Sequence, residues 1–147
     1  MTTDEKTTRI LYTASATSTG DGRNGHVRST DGFLDQEVRT PKELGGPGGA
    51  TNPEQLFAAG YSACFHSALK GAAKQLGLAI ADSAVTAEVG IGPTGGGAYG
   101  LAVTLVVELD GVTQEEGERL TQRAHELCPY SNATRGNIEV VLQTEMA

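Results

Sequence analysis

The sequence predicts an α+β fold, and three observations carry that prediction. Segments with apolar residues at every second position cluster near the N-terminus and again in the second half of the chain. Between them lies one long apolar helical run, TNPEQLFAAGYSACFHSALKGAAKQLG. A second helical segment, opened by a capping box and closed by a proline, precedes a last strand. The resulting order is β-β-β-α-β-β-α-β, with a long, buried central helix.

Each element has a local reason. In residues 9–16, RILYTASA, the residues Ile10, Tyr12, Ala14 and Ala16 alternate, which predicts a half-buried strand. The run from Gly20 to Gly25 reads as a loop. His26–Ser29 and Phe33–Arg39 flank Asp31-Gly32, a hairpin signal. GGPGG at 45–49 is a loop, because no regular element accepts that composition.

The central helix starts at Asn52, a good N-cap, with Pro53 at the first helical position and Gln55 completing a capping-box pattern. From Leu56 to Leu69 it is apolar on almost every face, which predicts burial on all sides. It ends near Leu76-Gly77. Val85–Ile91 and Tyr99–Leu109 read as strands joined by GPTGGGA. Thr113 with Glu116 opens an amphipathic helix that runs to Cys128, where Pro129 stops it. Ile138–Glu145 is the last strand.

Composition narrows the function. The 147 residues suffice for one domain with a core, and the sequence reading takes 9–147 as that domain and 1–8 as a variable extension. The opening MTTDEKTTRI has acidic residues and no apolar run, so no secretory leader is expected there and the expected location is cytoplasmic. No stretch approaches the roughly 18 apolar residues of a membrane span. A net charge of −7 argues against nucleic acid or an anionic membrane as partner. Neither glycine-rich run matches a phosphate-binding or dinucleotide-binding pattern, so no cofactor is expected. No CxxC, HxxxH or HExxH motif is present, and no metal site is expected.

The two cysteines remain. A thiol pair in a reducing compartment is more often catalytic, redox-active or metal-binding than a structural disulfide. Cys64 lies deep in the central helix, where burial would raise its pKa and leave it inert unless a fixed cation lies nearby. From local chemistry alone, inert core residue and reactive thiol stand level. Arg23, in the loop Gly-Arg-Asn-Gly, is a permanent cation that pairs with carboxylates, or else a solvated loop arginine. Glu54 in the first helical turn complements the helix dipole and is also placed to orient an arginine. It lies ten residues from Cys64, roughly 15 Å along a straight helix. Either the helix is interrupted, or the two meet across a two-fold interface. Cys128 at a helix C-terminus is a poor primary nucleophile and suits a resolving role. His125 and Cys128, three apart, form at most a weak metal pair, and His26 reads as a strand residue.

TNPEQLFAAGYSACF around Cys64 and CPYSNATRGN from Cys128 resemble the organic hydroperoxide resistance proteins, a branch of the OsmC-like superfamily. The resemblance runs from about residue 9 to 145. It implies an intertwined homodimer and a two-cysteine peroxidase acting on organic hydroperoxides, including those of fatty acids. It also implies recycling by a dihydrolipoyl group or another dithiol. Carried over by position, the resemblance places the peroxidatic cysteine on Cys64, the resolving cysteine on Cys128, the active-site arginine on Arg23 and the glutamate on Glu54. The rival from another class is a thiol sensor that cycles once per oxidant; no basic patch or DNA-binding helix favours it.

Overall fold

A computed structural model describes residues 7–147, which fall into two compact units, one ending at Asn52 and one running Pro53–Ala147. The architecture is α+β: two three-stranded sheets, three α-helices and a short 3₁₀ turn. No described helix is long and apolar enough to cross a membrane.

The first unit is an antiparallel sheet of β1 (Ala16–Asp21), β2 (Asn24–Ser29) and β3 (Asp35–Glu37). It departs from the periodicity reading at its start. Residues 9–15 lie outside any strand, and β1 begins where the expected strand would end. The physical reason is that β1 is exposed along its whole length, so no apolar alternation marks it. The expected Gly20–Gly25 loop is instead the end of two strands and a two-residue turn. Gly22, at φ +58°, supplies the turn, and Arg23 follows it at the tip. The second hairpin forms as expected around Asp31-Gly32, with His26 opposite Glu37 and Arg28 opposite Asp35. Phe33 and Leu34 belong to its loop rather than to β3, because Asp31 accepts from the Phe33 N–H and the Ser29 hydroxyl and so holds the chain in a turn.

One face of this sheet carries a charge cluster. His26 lies between Asp35, which faces Nε2, and Glu37, which accepts from Nδ1 at 3.0 Å. Arg39 pairs with Glu37 at 3.1 Å. Only an imidazolium donates from both ring nitrogens, so Glu37 and Asp35 hold the His26 pKa above its ordinary value.

The second unit contains the core. Helix α1 (Pro53–Leu76) starts at the predicted proline and runs unbroken for 24 residues. Strands β4 (Asp82–Gly95) and β5 (Ala98–Asp110) form a long antiparallel hairpin. Then α2 (Gln114–Leu127), α3 (Pro129–Thr134) and β6 (Val140–Met146) follow, with β6 parallel to β5. A parallel neighbour needs a crossover, and α2 with α3 provide it. Register puts apolar residues in lateral rows: Val89, Val103 and Val140 in one, Ala87, Leu105 and Leu142 in the next. Both α1 and α2 pack on the face those rows form.

Helix α2 buries Gly117, Leu120, Thr121, Ala124 and His125, a single stripe at helical spacing. Its predicted capping box is present: Thr113 Oγ1 accepts from the Glu116 N–H at 3.1 Å, and Glu116 accepts from the Thr113 N–H at 2.9 Å. At Gly117 the helix lies so close to the sheet that an added Cβ would meet Met146, Leu109 and Thr144.

Within a single copy of the chain, helix α1 buries one side against the sheet and α2. Its fully buried positions, Tyr61, Phe65, Leu69 and Ala72, form one stripe, while Ala59 and Ala63 are exposed. Proline 129 is a surprise. It ends α2 and at once occupies the first position of α3, where its missing N–H costs nothing.

Two outcomes follow. Phe65→Ala removes a fully buried ring from this core and should cost about 3–5 kcal/mol of unfolding free energy, read by urea denaturation. His26 should titrate with a midpoint above about 6.5 by proton NMR. Since its folded pKa is raised, its stabilising effect should be complete below that ordinary value and be lost as pH rises through the folded midpoint. A midpoint at or below the ordinary value would contradict the ion cluster.

Candidate active site

The structure brings together Cys64 and Cys128. Cys64 sits midway along α1, half-buried, beside the core stripe. Cys128 is fully buried between α2 and α3. Both are free thiols and their sulfurs lie 3.5 Å apart. Sixty-four residues separate them in sequence. Their proximity comes from α1 and α2 packing side by side on one sheet.

The backbone of Cys128 is held from both sides. Its N–H closes α2 on the Ala124 carbonyl at 2.9 Å, and its carbonyl accepts from the Asn132 N–H at 2.9 Å to open α3. Cys128 terminates α2 as the sequence predicts, but it also precedes a second short helix, so the C-terminal dipole of α2 is not its whole environment.

Burial pushes the Cys64 thiol above its ordinary value. The backbone N–H of Tyr130 pulls the other way, since it favours the thiolate. Competition with Cys128 for one negative charge adds a further upward push.

The flanking groups form two layers. Phe57, Tyr61 and Tyr130 make an aromatic cluster with ring centroids 5.5–5.8 Å apart. The Tyr130 ring lies over Gly60, where a Cβ would meet its hydroxyl at 2.7 Å and push the ring aside. Behind the rings, Tyr61, Ser131, Thr134 and His125 join in a buried hydrogen-bonded cluster. Tyr61 and Phe65 are fully buried. Phe57 and Tyr130 are the more open aromatic groups near the thiols. Neither was singled out from sequence; the only available signal was the aromatic residue two places after Cys128.

The other expected residues are placed as follows. Glu54 is in the first turn of α1. Because α1 is unbroken, Glu54 stays about 15 Å from Cys64 along the axis, and the interrupted-helix alternative is removed. Arg23 is at the tip of the β1–β2 hairpin in the first unit. His66 faces away from the thiols, bonding Ser83 at 2.8 Å. The Nδ1 of His125 is engaged by Ser131, which diverts it from any metal pair with Cys128.

Comparison with known proteins gives a consistent picture. Residues 46–143 match the family described as OsmC-like protein. An organic hydroperoxide resistance protein of Xanthomonas axonopodis pv. citri is 51% identical over 136 residues, covering 91% of this chain and 94% of its own. The protein OhrB of Bacillus subtilis, of the same name, is 46% identical, covering 90% and 97%. A crystal structure of an organic hydroperoxide resistance protein from Elizabethkingia anophelis superposes with a TM-score of 0.90 at 53% identity, covering 95% of this chain and all of that one.

A bonded sulfur pair is about 2.05 Å long, so the two thiols need to close by roughly 1.5 Å, within the reach of rotamer adjustment. Mild oxidation should therefore consume both thiols and give an intramolecular Cys64–Cys128 disulfide. Peptide mapping under non-reducing conditions checks this; a predominance of intermolecular Cys64–Cys64 bridges would contradict the geometry.

Proposed function

We propose, on the premise that this chain belongs to the OsmC-like family and to its organic hydroperoxide resistance branch, that it is a two-cysteine peroxidase acting in organic hydroperoxide stress. The observation that carries the mechanism is the 3.5 Å separation of a half-buried and a buried thiol on adjacent helices.

The Cys64 thiolate attacks the distal oxygen of a hydroperoxide. The O–O bond breaks, the alkoxide takes a proton and leaves as an alcohol, and Cys64 becomes a sulfenic acid. Cys128 displaces water from that sulfenic acid and forms the disulfide. An external dithiol, such as a dihydrolipoyl group, reduces it by exchange and restores both thiols.

A thiol near pKa 8.5 is only a few per cent ionised at neutral pH, and burial of Cys64 lowers that fraction. An opposite charge within a few ångströms depresses a pKa by roughly 1–3 units, enough to reverse the effect. Arg23 is the residue proposed to supply it, with Glu54 holding the guanidinium. The unbroken α1 favours Glu54, and with it Arg23, acting on Cys64 of a second copy of the chain. Exposed Ala59 and Ala63 on α1, and Ile10, Leu11, Tyr12 and Phe33 at 67–95% exposure, are apolar surface that a homodimer would cover. Phe57 and Tyr130 offer an apolar bed for an alkyl group, which favours organic hydroperoxides over hydrogen peroxide. The proposed location is cytoplasmic, where dithiol reductants are available.

The test is a steady-state assay with tert-butyl hydroperoxide and hydrogen peroxide, recycled by lipoamide or by thioredoxin. Turnover should be faster with the organic peroxide and with lipoamide. Cys64→Ser should abolish it; Cys128→Ser should stop at a sulfenic acid, seen as +16 on Cys64 by mass spectrometry, and then over-oxidise. Mixing Cys64→Ser with Glu54→Ala under subunit exchange should restore part of the activity. Heterodimers confirmed by native mass spectrometry but inactive would mean that each chain builds its own site.

A further inference from the structure

The buried polar cluster beside the thiols has a specific layout. Tyr61 lies three residues before Cys64, one turn away on α1, and Ser131 lies three residues after Cys128 on α3. Their hydroxyls are 2.8 Å apart. The turn that bears one thiol is thus cross-braced to the turn that bears the other. Tyr61 also reaches Thr134 Oγ1 at 2.9 Å, and His125 Nδ1 reaches the Ser131 hydroxyl at 2.8 Å. Arg135 donates to the His125 carbonyl at 2.7 Å and ties α3 back to α2.

Hydrogen counting gives the cluster one direction. Thr134 Oγ1 donates to the Ser131 carbonyl at 3.4 Å, so it accepts from the Tyr61 hydroxyl. Tyr61 then accepts from Ser131, and Ser131 accepts from the His125 Nδ1–H. Every buried side-chain polar atom among the described residues has a partner. Partly satisfied, such a cluster would weaken the core; fully satisfied, it specifies one arrangement.

We infer that Ser131, with Tyr61 and His125, is a positioning residue for the thiol pair: the cluster fixes the Pro129–Thr134 helix so that the Tyr130 N–H stays on Cys64 and Cys128 stays within reach of it. An apolar filling of the same volume would pack as well, but would let α3 slide along α1. The aromatic contact of Tyr61 with Tyr130, at 5.5 Å, restricts the same movement. This inference rests on reading Cys64 and Cys128 as a working pair, but not on the peroxidase chemistry.

The experiment uses the full chain and no hydroperoxide. Ser131→Ala, Tyr61→Phe and, as control, Thr121→Val are compared with the parent. Thr121 is a buried hydroxyl that bonds Gly117 and Thr144 at 2.9 Å, in α2 but outside this cluster. Two quantities are read: the pH midpoint for alkylation of Cys64, by mass spectrometry, and the rate of disulfide formation driven by diamide. Ser131→Ala should raise the midpoint by about one unit, a tenfold loss of thiolate, and slow disulfide formation about tenfold. Tyr61→Phe should move both in the same direction by less. Thr121→Val should lose thermal stability and move neither. Should Ser131→Ala fail to fold, Tyr61→Phe against Thr121→Val decides. Parent-like values in the cluster variants, or equal shifts in Thr121→Val, would overturn the inference. If the hydroperoxide assays fail while these shifts appear, the positioning role stands and the proposed substrate does not.

Discussion

Everything in the larger unit depends on two helices sharing one sheet face. The rows of valine and leucine on β4, β5 and β6 form a continuous apolar floor, and α1 and α2 lie side by side on it. Each fully buried aliphatic or aromatic side chain contributes about 1.5–3 kcal/mol. Tyr61, Phe65 and Leu69 on α1, with Leu120 and Ala124 on α2, are all fully buried. That packing fixes the helix pair, and the helix pair fixes the distance between the two sulfurs. A reactive pair that is distant in sequence is thereby built from ordinary core forces, without a dedicated loop.

The junction at Cys128 refines what the packing begins. A helix that simply ended there would leave the cysteine on a fraying terminus. Here the backbone of Cys128 belongs to two hydrogen-bonded ladders at once, and the Tyr61–Ser131 brace holds the second helix against the first. The same construction brings the Tyr130 N–H to Cys64, where it works against the cost of burying charge. Burial and activation pull in opposite directions at this site. One backbone donor does not remove the conflict, and a full positive charge is the kind of group that does.

The smaller unit is built on different physics. Its sheet has few buried residues, Gly25 among them, with Val38 buried just beyond β3, and much of its order comes from turns and ion pairs. Aspartate 31 shapes one loop, and His26 joins Asp35 and Glu37 across two strands. Such exposed charge pairs contribute little stability individually. Outside its strands, the same unit leaves Ile10, Leu11, Tyr12 and Phe33 open to solvent.

The sequence by itself determined the class of fold, the start of α1 at Pro53, the capping box at Thr113 and Glu116, and the long hairpin of β4 and β5. These are local matters: proline geometry, a reciprocal hydrogen bond three residues apart, and strict alternation over a half-buried sheet. It also marked Cys64, Cys128, Arg23 and Glu54 as residues of interest, through a resemblance carried by two nearly unbroken segments. It misplaced β1, because a strand exposed along its length has no period to read. It overlooked α3, because a proline that stops one helix begins another equally well. Only the tertiary structure decided that the two sulfurs meet, that α1 runs unbroken between Glu54 and Cys64, and that Tyr61 and Ser131 brace the thiol-bearing turns. Each of these depends on where one helix lies relative to another. That placement is set by the summed packing of the whole face, and no short stretch of sequence encodes it.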